Sequence, residues 1–334
     1  MSRVFITGVA GFLGSHVADA MLADGHEVVG IDSLIGGELD NVPKGVDFSR
    51  TDCNEFDRVK VLMRRTDIVY HCAATAYEGL SVFSPHLVTQ NIVGASTAVF
   101  SAAIANGAKR IVHCSSMARY GALKPPFREH MVPAPQDPYG IGKLAAEHML
   151  VNLCRTHNTE YVIAVPHNII GPRQKYDDPF RNVASIMINM MMQGRQPIVY
   201  GDGSQRRCFS FVEDCLFCLK QMAFSDDVVG EIVNIGPDEE PVTILELAQR
   251  IAALLNFPLE PKHMPGRPQE VEVALCSSDK VRALLGYSTQ TNLDDGLRQM
   301  IEFIRARGPK PFVYHLPIEI VSEKTPKTWT QKLF

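Results

Sequence analysis

The chain predicts an α/β fold built on a doubly wound parallel sheet, on three observations. A β-branched run opens directly into Gly8-x-x-Gly11-x-x-Gly14 and a helical pattern. Short apolar runs then alternate with helical patterns as far as residue 168. At the ends of those runs stand Gly8, Asp32, Ala73, Ser116 and Asn168, where ligands of such sheets bind.

Taken in order, RVFIT (3–7) is the first strand, and Ser15 to Asp24 is a helix ended by Gly25. HEVVGID (26–32) and DIVYHCAA (67–74) are strands, followed by a helix over 88–106 that stops near Gly107. RIVHCSS (110–116), a helix over 139–157 and YVIAVPHN (161–168) complete the alternation. Strands alternating with helices imply a parallel sheet covered on both faces. Past residue 170 the rhythm weakens. A helix (182–194), a strand (197–201), a Gly-Asp-Gly turn, a strand-helix unit and a helix from Thr243 to Asn256 follow. The expected organisation is a dinucleotide-binding domain over 1–168, with the chain crossing back near 205–236. A smaller, partly interleaved α/β substrate-binding region covers 169–308. A C-terminal extension, 309–334, carries the only tryptophan, Trp329.

Composition narrows the partners. The net charge of −4 gives no reason to expect nucleic acid or an anionic membrane surface. No apolar run approaches the roughly 20 residues that span a bilayer, and MSRVFITG enters a strand without a leader, so a cytoplasmic location is expected. Of eight cysteines only Cys215 and Cys218 are closely spaced, on a helical pattern with no second pair to answer them, so no metal is expected.

The glycines carry the first chemical signal. At a strand-to-helix junction, Gly8 permits the tight turn, Gly11 admits a pyrophosphate to the backbone, and Gly14 lets helix and strand pack closely. The helix N-terminus then faces the phosphates with free N–H groups. This is the Rossmann arrangement. Asp32, at the end of the second strand, accepts hydrogen bonds from ribose hydroxyls and repels a 2′-phosphate. No Lys or Arg occurs over 33–43, so NAD is expected rather than NADP.

Tyr139 and Lys143 carry the second. Four residues apart on a helix, they share a face. An ordinary tyrosine is only about 0.1% phenolate at pH 7, and lowering its pKa to about 7 takes roughly 4 kcal/mol. The Lys143 ammonium and a positive nicotinamide ring together supply such stabilisation, and Ser116 hydrogen-bonds the same substrate oxygen.

In TGVAGFLG, DIVYHCAA, CSSMARYG, DPYGIGK, HNIIGPRQ, GDGSQRRCFSFVED and PGRPQEV followed by LLGY, the chain resembles the extended short-chain dehydrogenase/reductase family. It is most similar to the NAD-dependent nucleotide-sugar epimerase/dehydratase branch, from residue 3 to about 305. The resemblance implies catalytic roles for Ser116, Tyr139 and Lys143. It implies NAD contacts from Gly8, Gly11, Phe12, Leu13, Gly14, Asp32, Ser33, Asp52, Cys53, Ala73, Ala74, Asn91, Ser115, Tyr139, Lys143 and Pro166. It implies nucleotide-sugar contacts from Asn168, Asn182, Val183, Arg207 and Arg267, with Glu78, Arg119, His167 and Ala274 added as substrate candidates. Guanidinium forks suit a diphosphate.

Three departures from the branch stand out. Met117 and Ala118 occupy the places where its dehydratases resemble one another in carrying Asp and Glu, and its decarboxylases likewise need a Glu at Ala118. Arg119 and His167 replace a valine and an aromatic. The extension from 309 lies beyond the family core. The implied activity is C4 epimerisation of a nucleotide-diphosphate sugar through a transient 4-keto sugar, with NAD regenerated each turnover. UDP-sugars are favoured, with ADP- and GDP-sugars as alternatives. Rival readings are oxidation, reduction or dehydration of the same sugar, with an acid such as Glu78, and a non-catalytic NAD-dependent binding protein. Ala274, in register with a gate position of the epimerases, predicts room for a bulky sugar substituent. Val93, Val99 and Phe100 on one helix, with Leu144, Met149 and Leu153 on the other, match the pairing that forms a homodimer in relatives.

Overall fold

β-branched and apolar runs build the strands of one parallel sheet in a computed structural model that describes residues 1–334. The first half runs β1 (Arg3–Thr7), α1 (Phe12–Ala23), β2 (Glu27–Asp32), β3 (Asp47–Arg50), α2 (Phe56–Leu62) and β4 (Ile68–His71). It continues through α3 (Glu78–Ser81), α4 (Pro85–Thr89), α5 (Ala95–Ala105), β5 (Arg110–Cys114), α6 (Pro138–His157) and β6 (Glu160–Pro166). Alternate residues of β1 feed opposite faces: Val4 and Ile6 join a core with Met21 and Leu219, while Phe5 joins one with Phe100 and Leu150. Helices on both faces account for the nearly continuous apolar strands.

β3 and α2 were not anticipated. DFSR is a polar, half-exposed edge strand without an apolar signature.

The helix expected over 88–106 starts earlier, at Pro85, and a single π-turn (Gln90–Gly94) joins α4 to α5. An 18-residue window of the joined segment Pro85–Ala105 has a mean hydropathy of 1.4, and the segment is long and apolar enough by composition to cross a membrane. This corrects the sequence expectation, which looked for an unbroken apolar run and passed over one interspersed with Thr, Gln, Asn and Ser. Here the segment packs against α2 and α6, with Val99 and Phe100 fully buried.

The second half leaves and re-enters the sheet. After β7 (Ile169–Ile170), α7 (Val183–Met192), β8 (Ile198–Tyr200) and β9 (Arg206–Arg207), the chain returns through β10 (Ser210–Phe211), α8 (Val212–Phe224) and β11 (Ile232–Ile235). β11 pairs with β6, so the seven strands lie in the order β11-β6-β5-β4-β1-β2-β3, all parallel. Cys215 and Cys218 are buried where α8 meets this sheet. The chain then departs for β12 (Val242–Thr243), α9 (Ile244–Leu255), β13 (Lys262–Met264) and β14 (Val273–Ala274). It closes with α10 (Asp279–Leu285), α11 (Leu293–Arg307) and α12 (Lys327–Thr330). A capping box, Thr243 with Glu246, starts α9. Helices α7, α9 and α11 bury Met187, Leu247 and Leu297 in a separate core.

The extension from 309 is a strap across both halves. Val313 N–H donates to the Asp177 carbonyl at 2.8 Å. The Glu319 carboxylate accepts from the N–H groups of His86 and Leu87, both at 2.9 Å. Trp329 packs edge-on against Phe83 and Phe180 at 5.8 and 5.2 Å.

Candidate active site

A cavity of about 500 Å³ opens between the carboxyl ends of the strands and the α7 side of the molecule. The glycine turn forms its floor. Gly8 has φ +73°, and a Cβ there would meet the Ala73 backbone at 2.9 Å. A Cβ on Gly14 would stand 2.2 Å from the Gly8 carbonyl oxygen, so helix and turn approach as closely as they do only because residue 14 is glycine. No side chain caps α1, which leaves its first N–H groups to the cavity.

Asp32 is pinned beside that turn. Its carboxylate accepts from Ala10 N–H at 3.1 Å and Leu34 N–H at 2.7 Å. Burial still pushes its pKa above the usual carboxylate value. Phe12, Leu13, Ser33, Asp52, Cys53, Ala73, Ala74, Asn91, Ser115 and Pro166 line the same cavity, Asn91 from within the π-turn. A glycine cradle without side chains, open helix amides and a fixed carboxylate at the end of β2 fit NAD.

Asp137 caps α6, its carboxylate accepting from Gly140 N–H at 2.9 Å, and so places Tyr139 and Lys143 in the first turns. Lys143 Nζ donates to the Cys114 carbonyl at 2.8 Å and lies 6.0 Å from the Tyr139 ring centre. Burial lowers the Lys143 pKa to about 8. It pushes the Tyr139 phenol up instead, opposed by a hydrogen bond with Ser116 and by Arg181, and aided by Glu78 and Asp137. The protein's groups alone therefore favour the neutral phenol. Ser116 stands at the mouth of a 3₁₀ turn, its oxygen accepting from Ala118 N–H at 3.2 Å. Met117 and Ala118 bring no carboxyl to this spot.

Across the cavity, Asn168 donates to the Cys208 carbonyl at 3.0 Å. Asn182 caps α7 through Ala184 N–H, and Val183 follows it. Arg207 donates to the Val271 carbonyl at 2.7 Å. Arg267 pairs with Glu270 at 2.9 Å and lies over the Tyr200 ring at 4.6 Å. Glu78 faces the cavity from α3.

Three substrate candidates are not on its wall. Arg119 is buried and paired with Glu147 at 2.9 Å, whose carboxylate also receives the Ser115 hydroxyl. His167 is wholly buried, Nε2 bonded to the Pro237 carbonyl at 2.9 Å. Ala274 sits beside Arg207 in the β9–β14 pairing, with its methyl in the apolar cluster of Tyr120, Phe127 and Cys276. The gate reading therefore loses its structural basis.

The structure adds residues that sequence reasoning missed. Arg181, in the loop before α7, lines the cavity and stacks on Tyr77 at 4.4 Å. A Cβ on Gly36 would lie 2.2 Å from its Nη2, so the absence of a side chain there makes room for the guanidinium. Tyr200, Gln205, Glu270 and the C-terminal Phe334 also line it. Arg181 adjoins Asn182, which was the one available signal. Phe334 had none.

The chain matches a family model described as the NAD dependent epimerase/dehydratase family over residues 4–236. It is 31% identical over 317 residues to a UDP-glucose 4-epimerase of Mycolicibacterium smegmatis, covering 92% of this chain and 99% of that one. It is 28% identical to UDP-glucuronic acid decarboxylase 1 of Danio rerio, covering 90% of this chain and 72% of the other. Its fold is similar to a UDP-glucuronic acid 4-epimerase from Bacillus cereus in complex with UDP-glucuronic acid and NAD. That match has a TM-score of 0.85 and 26% identity, and covers 92% of this chain and all of the other, 100%.

Proposed function

The chain belongs to the NAD dependent epimerase/dehydratase family, and from that premise we propose that it is an NAD-dependent nucleotide-sugar 4-epimerase acting on a UDP-sugar. One observation carries the reading. Ser116, Tyr139 and Lys143 stand on the wall of the same cavity as the glycine turn, and the two residues after Ser116 carry no acid.

The chain's groups divide the work. Arg207 and Arg267 hold the diphosphate, and Asn168 and Asn182 border the sugar end. Tyr139 Oη accepts the proton of the sugar 4-hydroxyl and later returns it. The Lys143 ammonium stabilises the phenolate, and Ser116 donates a hydrogen bond to the same sugar oxygen. The Gly8–Gly14 turn and Asp32 would hold NAD, which when bound would supply reversible hydride acceptance at C4.

Elimination of water is the second reading, because Glu78 faces the cavity and burial raises its pKa to about 7, an acidity suited to a general acid. Product analysis separates the two: unchanged mass with inverted C4 is expected, and loss of water or carbon dioxide refutes epimerisation. Tyr139→Phe is expected to cut turnover about 10²-fold or more while NAD stays bound. Near-normal turnover defeats the assignment. Eight free cysteines, seven of them buried, support a reducing, cytoplasmic setting. Val93, Leu144, Met149 and Leu153 remain half-buried and Ile141 is 54% exposed, which supports a homodimer through these helices.

A further inference from the structure

Glu78 opens α3 with its carboxyl in the cavity, and epimerisation as described above does not use it. Three of the cations nearby already have anionic partners. Arg267 is paired with Glu270 at 2.9 Å, Arg181 with Asp178 at 3.5 Å, and Lys175 with Glu38 at 3.2 Å. Arg207 has no anionic side-chain partner; it donates to the Glu272 and Val271 carbonyls and is the guanidinium left for the diphosphate.

The position of α3 is bracketed from two sides. On one, Ser81 Oγ lies 3.3 Å from the Asp137 carboxylate that caps the Tyr139 helix. On the other, a Cβ on Gly79 would be 3.3 Å from Arg267 Nη1 and 3.7 Å from Trp329. The charged and titratable groups acting on Glu78 are Asp137 and Tyr139 on the first side, and Arg207, Arg267 and Glu270 on the second. α3 therefore stands on the cavity wall between Tyr139 and the guanidiniums assigned to the diphosphate, where the sugar would lie.

We propose that Glu78 selects the sugar by charge: the site takes nucleotide-diphosphate hexoses that present hydroxyl or amino donors to α3, and excludes hexuronates. This rests on the reading that the cavity binds a nucleotide sugar. An ionised Glu78 accepts hydrogen bonds from such donors. A hexuronate places a second carboxylate against it in the cavity, where Arg267, Arg181 and Lys175 already have anionic partners and Arg207 faces the diphosphate. Protonation removes the conflict, and desolvation by the surrounding protein raises the Glu78 pKa to about 7 even though the residue stays open to solvent on the cavity side, so the exclusion is strongest above neutrality.

The test is calorimetric titration of the NAD-loaded protein with UDP-glucose and UDP-glucuronate at about pH 8 and about pH 6, on either side of the Glu78 pKa. The wild-type protein is expected to prefer UDP-glucose about tenfold or more at the higher pH. That preference should shrink at the lower pH and in Glu78→Gln, and persist in Glu78→Asp. Equal affinity for the two ligands at the higher pH overturns the proposal, as does a preference that Glu78→Gln leaves intact. The wild-type pH comparison stands even where a variant fails to fold. Binding reads Glu78 independently of turnover, so selective binding without epimer formation refutes the epimerase alone, and binding of neither ligand refutes both.

Discussion

Arg119 and Glu147 decide between two roles that a sequence leaves open for an arginine close to Ser116. The pair is 2.9 Å apart, with side chains 4% and 2% exposed. Glu147 also receives the Ser115 hydroxyl, and the Arg119 guanidinium lies 5.0 Å from the Tyr120 ring centre. Glu147→Ala strands a buried guanidinium whose Nη1 is already without a partner. Breaking a buried pair from one side costs about 3–5 kcal/mol. With an unfolding entropy of about 2.1 cal/mol/K per residue over 334 residues, the melting temperature should fall by about 4–7 °C. Replacing both partners by methionine should recover most of the loss, because the desolvation cost of both charges disappears. The assay is thermal and urea unfolding of the two single variants and the double variant, with KM for the nucleotide sugar measured alongside. The structural role is refuted if Glu147→Ala costs less than about 1 kcal/mol while Arg119→Met raises KM selectively.

The Lys143 ammonium should titrate near pH 8, visible by NMR after reductive methylation with labelled carbon, because burial lowers it from the usual lysine value. Between that pH and the ordinary lysine pKa the unfolded chain binds more protons than the folded one. Stability contributed by this group therefore rises with pH across that window, and Lys143→Met should remove the slope. Trp329 is the only tryptophan and is 3% exposed, so its emission should be blue-shifted and shielded from acrylamide. Deleting 327–334 removes both Trp329 and the Phe334 wall, and should weaken nucleotide-sugar affinity more than NAD affinity; an equal loss of both argues against a wall at the sugar end. Light scattering at micromolar concentration should give a dimer, and a monomer there would count against pairing through α5 and α6.

Local signals were legible where physics acts locally. The turn at Gly8 and the close approach at Gly14 are steric facts about a few neighbouring residues, and they sit where the fingerprint put them. Tyr139 and Lys143 share a helix face because the helical period says so. The apolar strands of a sheet covered on both sides stand out against their surroundings, whereas the polar edge strand β3 does not. Partners and side-chain directions behave differently. Arg119 turns away from the cavity because Glu147, 28 residues later, is buried beside it. Ala274 faces an apolar cluster because β14 pairs with β9 in one register. The Tyr139 phenol is pushed up by burial more than the Ser116 hydrogen bond and Arg181 lower it, so a bound positive nicotinamide has to complete its activation. The far wall of the cavity gathers Glu78, Arg181, Tyr200 and Phe334 from points scattered along the chain. The sequence by itself determined the parallel α/β core, the glycine turn and the shared helix face of Tyr139 and Lys143, since each depends on residues within a few turns of one another. Which charges face the sugar, and which are neutralised in the interior, only the tertiary structure decided, because burial and long-range pairing exist only once the chain has folded.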